Sequence, residues 1–101
     1  MNEEILAEIV NRIKSSDVKK IILFGSVARG EQDKYSDIDI IIVKETEERF
    51  INRLLNIASF SDLPVQVDFF VYTPSEFEQM LKMNNPFIQK VVKEGKLIYE
   101  E

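Results

Sequence analysis

Apolar and polar residues are arranged along this chain in two different patterns. Over residues 2–16 the apolar side chains recur every three or four positions, which predicts an amphipathic helix. Three later segments are instead short runs rich in β-branched residues, which is typical of strands in a buried sheet. These predicted strands are residues 20–24, 37–43 and 65–72.

The other elements are predicted from the residues at their boundaries. Thr46 opens a second amphipathic helix, and the sequence TPSE beginning at Thr73 is typical of a capped helix start. Residues 87–93 predict a further short helix, and residues 96–99 a last edge strand. The order α-β-β-α-β-α-α-β indicates one α+β (mixed α/β) domain over residues 1–101, with helices packed on a sheet of three to four strands.

The composition excludes several kinds of chemistry. Among the 101 residues there is no cysteine, histidine or tryptophan. A disulfide framework, a zinc cluster, a thiol nucleophile and a Ser-His-Asp triad are therefore excluded. A metal bound by this chain must be a hard cation held by carboxylate and carbonyl oxygens. The formal net charge of −5 disfavours direct binding to nucleic acid.

The sequence also gives an expectation about the compartment. No apolar run approaches the roughly 18 residues that a membrane span requires. Acidic residues interrupt the N-terminus, where a signal peptide would need an apolar stretch. We therefore expect a cytoplasmic protein that does not enter a membrane.

Three aspartates interrupt the otherwise apolar strands. Asp37 and Asp39 are two positions apart in DIDIIIV and so point to the same face, while Asp68 lies in the middle of VQVDFFV. Taken singly, they are better explained as a turn cap, a solvated position and an edge position. Burying carboxylates side by side is costly, however, unless a cation lies between them. The three together therefore indicate an all-oxygen site for Mg²⁺ or Mn²⁺.

A second candidate feature, the segment FGSVARG, directly follows the first predicted strand. Gly25 permits close approach of the backbone, the free N–H groups of the following turn can bind an anion, and Arg29 adds positive charge. Gly-Ser after a strand is usually only a turn, and this one matches neither common phosphate-loop motif. Ten residues separate this Gly-Ser from the Asp-x-Asp pair, and together the two motifs nevertheless describe a triphosphate cradle beside a metal site.

The segment GSVARGEQDKYSDIDIIIV resembles the signature of the DNA polymerase β-like nucleotidyltransferase superfamily, which is Gly-Ser, ten residues and Asp-x-Asp. The short chain is similar to the minimal nucleotidyltransferases (MNT proteins) of bacteria and archaea. Asp-x-Asp on its own would be a less specific signature, because some glycosyltransferases and haloacid dehalogenase-type phosphatases also contain it. The chains of those families are much longer than this one. The resemblance implies a small nucleotidyltransferase-fold sheet.

The resemblance also implies an activity and a set of site residues. An acceptor hydroxyl would attack the α-phosphorus of an NTP, expected to be ATP, and pyrophosphate would leave. Asp37, Asp39 and Asp68 would be catalytic and hold two Mg²⁺ (or Mn²⁺) ions, with Asp68 also acting as the base. The nucleotide-binding residues that it implies are Gly25, Ser26, Arg29 and Ser36.

A protein partner is the last implication of the resemblance. Only about 33 residues follow Asp68, too few for the helical lobe that holds the acceptor in larger relatives. Many MNT proteins are encoded beside a helical HEPN-domain protein, and some of these pairs are a toxin and the antitoxin that adenylylates it. We expect the same arrangement here. Met and aromatic residues between Phe77 and Ile88 would suit an interface, although covering the sheet is their simpler role.

Two alternatives remain open at this point. In the first, the protein is a non-catalytic module that inhibits its partner by occlusion or senses nucleotide. Three carboxylates on strands argue against that reading, since occlusion does not require them. In the second, the chain transfers nucleotide to a small molecule, as related aminoglycoside-modifying enzymes do, although those relatives have an additional substrate lobe.

Overall fold

A computed structural model of the chain describes residues 3–25, 38–49, 52–53, 62–63 and 65–101. In chain order the elements are α1 (Glu3–Ile13), β1 (Val18–Phe24), β2 (Ile38–Lys44), β3 (Val67–Tyr72), α2 (Pro74–Lys82), α3 (Pro86–Glu94) and β4 (Lys96–Glu100).

Within the described ranges the strands form one mixed sheet in the order β3-β2-β1-β4. β1 is antiparallel to both β2 and β4, whereas β2 and β3 are parallel. β1 and β2 are therefore the inner strands of this sheet. The predicted α+β (mixed α/β) class, with three to four strands packed with helices, is confirmed.

Each face of the sheet is covered by a separate apolar layer. The layer under α1 contains Ile9, Ile13, Val18, Ile21, Leu23, Ile38, Ile40, Ile42 and Val71. The layer under α2 and α3 contains Ile22, Ile41, Val43, Phe77, Ile88 and Val91. Because successive residues of a strand point to opposite faces, Asp39 lies on the same face as Ile41. We call this the α2–α3 face.

The helices α2 and α3 are fixed at their N-terminal ends by side-chain caps. The Thr73 hydroxyl accepts a hydrogen bond from the N–H of Glu76 at 3.1 Å, and the Glu76 carboxylate accepts one from the N–H of Thr73 at 2.8 Å. This is the capping box predicted from TPSE. Asn85 caps α3 by accepting from the N–H groups of Phe87 and Ile88 at 3.0 and 3.2 Å.

Two elements are shorter than predicted from the sequence. The first helix ends at Ile13 rather than at residue 16, because a turn follows in which the N–H of Val18 donates to the carbonyl of Ser15 at 3.1 Å. Serine and aspartate favour such turns over a helix interior. The third strand begins at Val67 rather than at residue 65, at the point where its pairing with Ile38 begins.

The helix predicted to open at Thr46 has not begun by residue 49. Instead, the Thr46 hydroxyl accepts a hydrogen bond from the N–H of Glu48 at 3.1 Å, a local turn that competes with a helix start. Residues 52–53 are helical. The remainder of this prediction lies outside the described residues.

The Met and aromatic residues of α2 and α3 divide between core and surface. Phe77 and Ile88 are buried against the sheet and Met80 packs beside them. Met83 and Phe87 are 79% and 38% exposed. Covering the sheet therefore accounts for only part of this cluster.

None of the helices found in the described ranges is both long and apolar enough to cross a membrane. α1 has 11 residues, whereas a span needs about 20.

Candidate active site

Asp39 and Asp68 lie side by side on the α2–α3 face. They are register partners on the parallel strands β2 and β3, and neighbouring strands are about 4.8 Å apart. Both side chains are half-buried, Asp39 on an inner strand and Asp68 on the outer strand of the described sheet. The fold thus brings together two carboxylates that are 29 positions apart (68 − 39) in the sequence.

The end of β1 approaches the same carboxylate. Phe24 is the register partner of Asp39 on the other side of β2, and the next residue, Gly25, has a positive φ of 79°. A β-carbon at Gly25 would collide with Oδ2 of Asp39. Glycine is therefore required here twice, for its backbone conformation and for the space that the carboxylate occupies.

The side chain of Gln66 holds the Asp68 carboxylate in place. Its Nε2 donates to Oδ1 of Asp68 at 3.2 Å, and its backbone carbonyl accepts a hydrogen bond from the N–H of Ile38 at 2.9 Å. Gln66 therefore joins the start of β2 to the start of β3 next to both carboxylates. Gln66 was not among the predicted site residues, although its position two residues before Asp68 places it on the same face.

Three aromatic rings pack beside the carboxylates. The ring of Phe87 on α3 meets that of Phe24 edge-on at a centroid distance of 5.6 Å and that of Phe70 at 5.9 Å. Phe24 is the partner of Asp39, and Phe70 follows Asp68 by two residues on the same face. Together the three rings form an apolar floor beside the site, through which α3 packs on the sheet.

A buried arginine braces the opposite end of β3. Arg53, which is 9% exposed, donates to the carbonyls of Glu48 and Val71 at 2.8 and 3.3 Å and to the Glu76 carboxylate at 2.6 Å. The hydrogen bond from Arg53 lowers the pKa of Glu76, against a smaller opposing effect of burial. The brace ties α2 to the edge of the sheet, so that β3 is fixed at both ends.

The predicted site residues fall into two groups. Gly25, Asp39 and Asp68 are described and lie together. Outside the described residues are four others, namely Ser26, Arg29, Ser36 and Asp37. Among the residues that are described, no group of three or more acidic side chains could hold a metal.

This combination of fold and site places the chain in a known class of protein. The nucleotidyltransferase domain family matches residues 3–99, which is almost the whole chain. The chain belongs to this family and is a nucleotidyltransferase.

Two proteins similar to this chain have the provisional name protein adenylyltransferase. A Methanocaldococcus jannaschii protein with the provisional name protein adenylyltransferase MJ0604 is 36% identical over 105 residues, covering 98% of this chain and 100% of the relative. MntA of Haemophilus influenzae, also provisionally named a protein adenylyltransferase, is 35% identical over 71 residues, covering 66% of this chain and 62% of MntA.

Solved structures show the same fold. A provisionally named nucleotidyltransferase of Sulfolobus solfataricus is 25% identical, with a TM-score of 0.63 over 98% of this chain and 77% of that one. A toxin–antitoxin structure with AMP-PNP contains a chain that is 24% identical, with a TM-score of 0.61 over 100% of this chain and 75% of that one. The similarity to this second structure shows that the two chains share a fold.

Proposed function

We propose that this chain transfers an adenylyl group from ATP to a hydroxyl of a partner protein, as the antitoxin of a toxin–antitoxin pair. The observation that carries the proposal is the in-register pair of Asp39 and Asp68 beside Gly25. Relatives provisionally named protein adenylyltransferases support a protein as the acceptor. AMP-PNP in a toxin–antitoxin of the same fold supports ATP as the donor.

The carboxylate pair fits a hard divalent cation. Two half-buried carboxylates on adjacent strands repel each other, and the donors are oxygens only, which suits Mg²⁺ or Mn²⁺. We assign Asp39 and Asp68, with Asp37 from the Asp-x-Asp motif, as the residues that would hold two Mg²⁺ ions. When bound, these ions supply charge stabilisation for the attacking and leaving oxygens.

The chain's own residues would position the nucleotide and accept a proton. Gly25 and Ser26 would bind the β- and γ-phosphates through backbone N–H groups and the hydroxyl, with Arg29 and Ser36 as further contacts. The acceptor oxygen bonds to the α-phosphorus as the bond from that phosphorus to the bridging oxygen breaks. Pyrophosphate leaves with that electron pair, and the hydroxyl proton passes to Asp68.

The partner that we propose is a helical HEPN-type toxin. A structure of a mutant of the toxin–antitoxin MntA–HpeT contains a chain of this fold, with a TM-score of 0.59 and 24% identity. The net charge of −5 favours a basic, RNA-binding protein over RNA itself. Such a pair would act in the cytoplasm, where ATP and RNA are present.

Transfer of α-labelled ATP tests this proposal. The chain is incubated with Mg²⁺ and the protein encoded beside it, and label on that protein is the expected result. Asp39→Asn should abolish labelling while the complex still forms, because only one carboxylate oxygen is replaced by an amide. Asp17→Asn, an exposed aspartate at the start of the sheet, is the matched control and should label normally.

The same variants distinguish the alternatives in cells. If Asp39→Asn neutralises the toxin as well as the wild type does, then inhibition is by occlusion and the proposed adenylylation is wrong. If label appears on a small molecule instead of the partner, the acceptor has been misassigned while nucleotidyl transfer stands.

A further inference from the structure

A pocket lies where α3 passes the end of β1. Its volume is about 170 Å³, and it is lined by Phe24, Gly25, Phe87, Lys90, Val91 and Glu94. Since a water molecule occupies about 30 Å³, the pocket has room for a group of several heavy atoms. It opens beside Gly25, directly next to the position at which the proposed function locates the triphosphate.

Among the described residues that line this pocket, Lys90 carries the positive charge. Its side chain is exposed, and no carboxylate within the described ranges lies within the 4 Å of an ion pair with it. Lys82, on the neighbouring helix, is by contrast paired with Glu78 at 3.0 Å. Lys90 is therefore available to bind an anion without first giving up a partner.

The charges of the proposed site require a further cation. A triphosphate and three aspartates carry more negative charge than two divalent ions neutralise, in a chain whose net charge is already −5. Glu94 lies one helical turn after Lys90 in the same lining. A phosphate in this pocket is therefore expected to bind at Lys90 and away from the Glu94 carboxylate.

We infer that Lys90 binds the terminal phosphates of the donor nucleotide and so selects a nucleoside triphosphate over a monophosphate. This inference rests on the proposed function, because Gly25 and Ser26 locate the phosphates. It adds a residue of α3, outside the Gly-Ser and Asp-x-Asp motifs, to the nucleotide-binding set. It also gives α3 a second role, since the same helix supplies Phe87 to the floor of the site.

Titration calorimetry on the full chain with Mg²⁺ tests this inference. The ligands are ATP, AMP and inorganic pyrophosphate. Lys90→Ala should weaken binding of ATP and of pyrophosphate about tenfold to a hundredfold, the range of one charge-assisted hydrogen bond. Binding of AMP should change less than about twofold, since AMP has no terminal phosphates.

Three further variants make the test specific. Lys90→Arg keeps the charge and should retain most of the affinity, and Glu94→Gln should tighten pyrophosphate binding. Lys93→Ala removes an exposed lysine of the same helix that does not line the pocket, so it should bind like the wild type. Because Lys90 is exposed, an unchanged Tm for Lys90→Ala is expected.

Each outcome has a distinct meaning. Wild-type affinity for ATP in Lys90→Ala overturns the inference and leaves the proposed function intact. An equal loss for AMP also overturns it, because Lys90 would then contact another part of the nucleotide. A wild-type chain that binds neither ATP nor pyrophosphate contradicts the proposed function as well.

Discussion

The absent side chain of Gly25 and the carboxylate of Asp39 share one space, since a β-carbon at Gly25 would overlap Oδ2 of Asp39. The two residues lie on either side of the β1–β2 pairing, where Phe24 is the partner of Asp39. The glycine of the Gly-Ser motif and the second aspartate of the Asp-x-Asp motif are therefore in direct spatial contact. Neither can be changed without affecting the other.

Gly25→Ala should inactivate the protein and destabilise it slightly. The methyl group displaces the Asp39 carboxylate, and a displacement of about 1 Å can cost about a hundredfold in rate. Holding alanine at a φ of 79° adds about 1 kcal/mol. Labelling assays and urea unfolding measure the two effects. Arg53→Ala, whose contacts lie at the opposite end of β3 from the carboxylates, is the control: it should lose stability but keep its activity per folded molecule.

Mg²⁺-ATP should stabilise the folded state through the paired aspartates. At a nucleotide concentration of about 100 times Kd, the free energy of unfolding rises by about 2.7 kcal/mol, which raises Tm by several degrees. Asp39→Asn and Asp68→Asn should lose this gain. The unliganded Asp68→Asn variant should be as stable as the wild type or more so, because its amide oxygen can still accept from Gln66 while one of two repelling charges is removed. A wild-type Tm that does not respond to Mg²⁺-ATP would argue against a preformed site.

Removing the Arg53 brace should weaken the fold without touching the carboxylates. Arg53→Ala removes the donor to the Val71 carbonyl and one donor to the half-exposed Glu76 carboxylate, which still accepts from the N–H of Thr73. We expect a loss of about 1–3 kcal/mol in the free energy of unfolding, after allowance for solvent screening at Glu76. Urea unfolding gives this value, with exposed Arg49→Ala as the matched control. An unfolding curve for Arg53→Ala that overlies the wild type would show that the brace contributes nothing.

Acid should destabilise the protein through two carboxylates with lowered pKa values. Hydrogen bonds from Arg12 lower the pKa of Asp62 from 3.8 to about 2, and the hydrogen bond from Arg53 lowers that of Glu76. A carboxyl group with a lowered pKa stabilises the folded state fully above its unfolded pKa. That contribution is lost as the pH falls through the folded value.

The stability that these pairs contribute should therefore be complete near pH 6 and decline from about pH 4.5 towards pH 2. The combined variant Asp62→Asn/Glu76→Gln should be less stable at pH 6, and its stability should change less across that interval. Thermal unfolding at a series of pH values measures both. A wild-type slope in the variant would mean that other carboxyl groups are responsible.

Those parts of the fold that depend on a local pattern of residues could be predicted from the sequence. The isoleucine-rich runs around Asp39 predicted β2, and TPSE predicted the capping box of α2, because both signals are contained within a few neighbouring residues. The Gly-Ser and Asp-x-Asp motifs identified Gly25 and Asp39 as candidate site residues. Their direct spatial contact became visible only in the structure.

Relationships between distant residues could not be predicted in this way. Asp39 and Asp68 were predicted to share one site, but their position directly opposite each other depends on the register of two strands, which no local pattern determines. Arg53 is one charged residue among several, and its partner Glu76 lies 23 positions further along. Lys90 and Phe87 acquire their positions from the packing of α3 against β1 and β3.

The backbone amide of Asp39 is expected to be protected from solvent because of its neighbours on β2. It lies between Ile38 and Ile40, both fully buried, on a strand that is paired on both sides. Amide groups in such a position exchange with solvent only when the whole domain unfolds. Native-state hydrogen exchange at Asp39 should thus report global stability. We expect any adjustment to different nucleotides or acceptors to come from side chains around this carboxylate, because its backbone is paired with β1 on one side and β3 on the other.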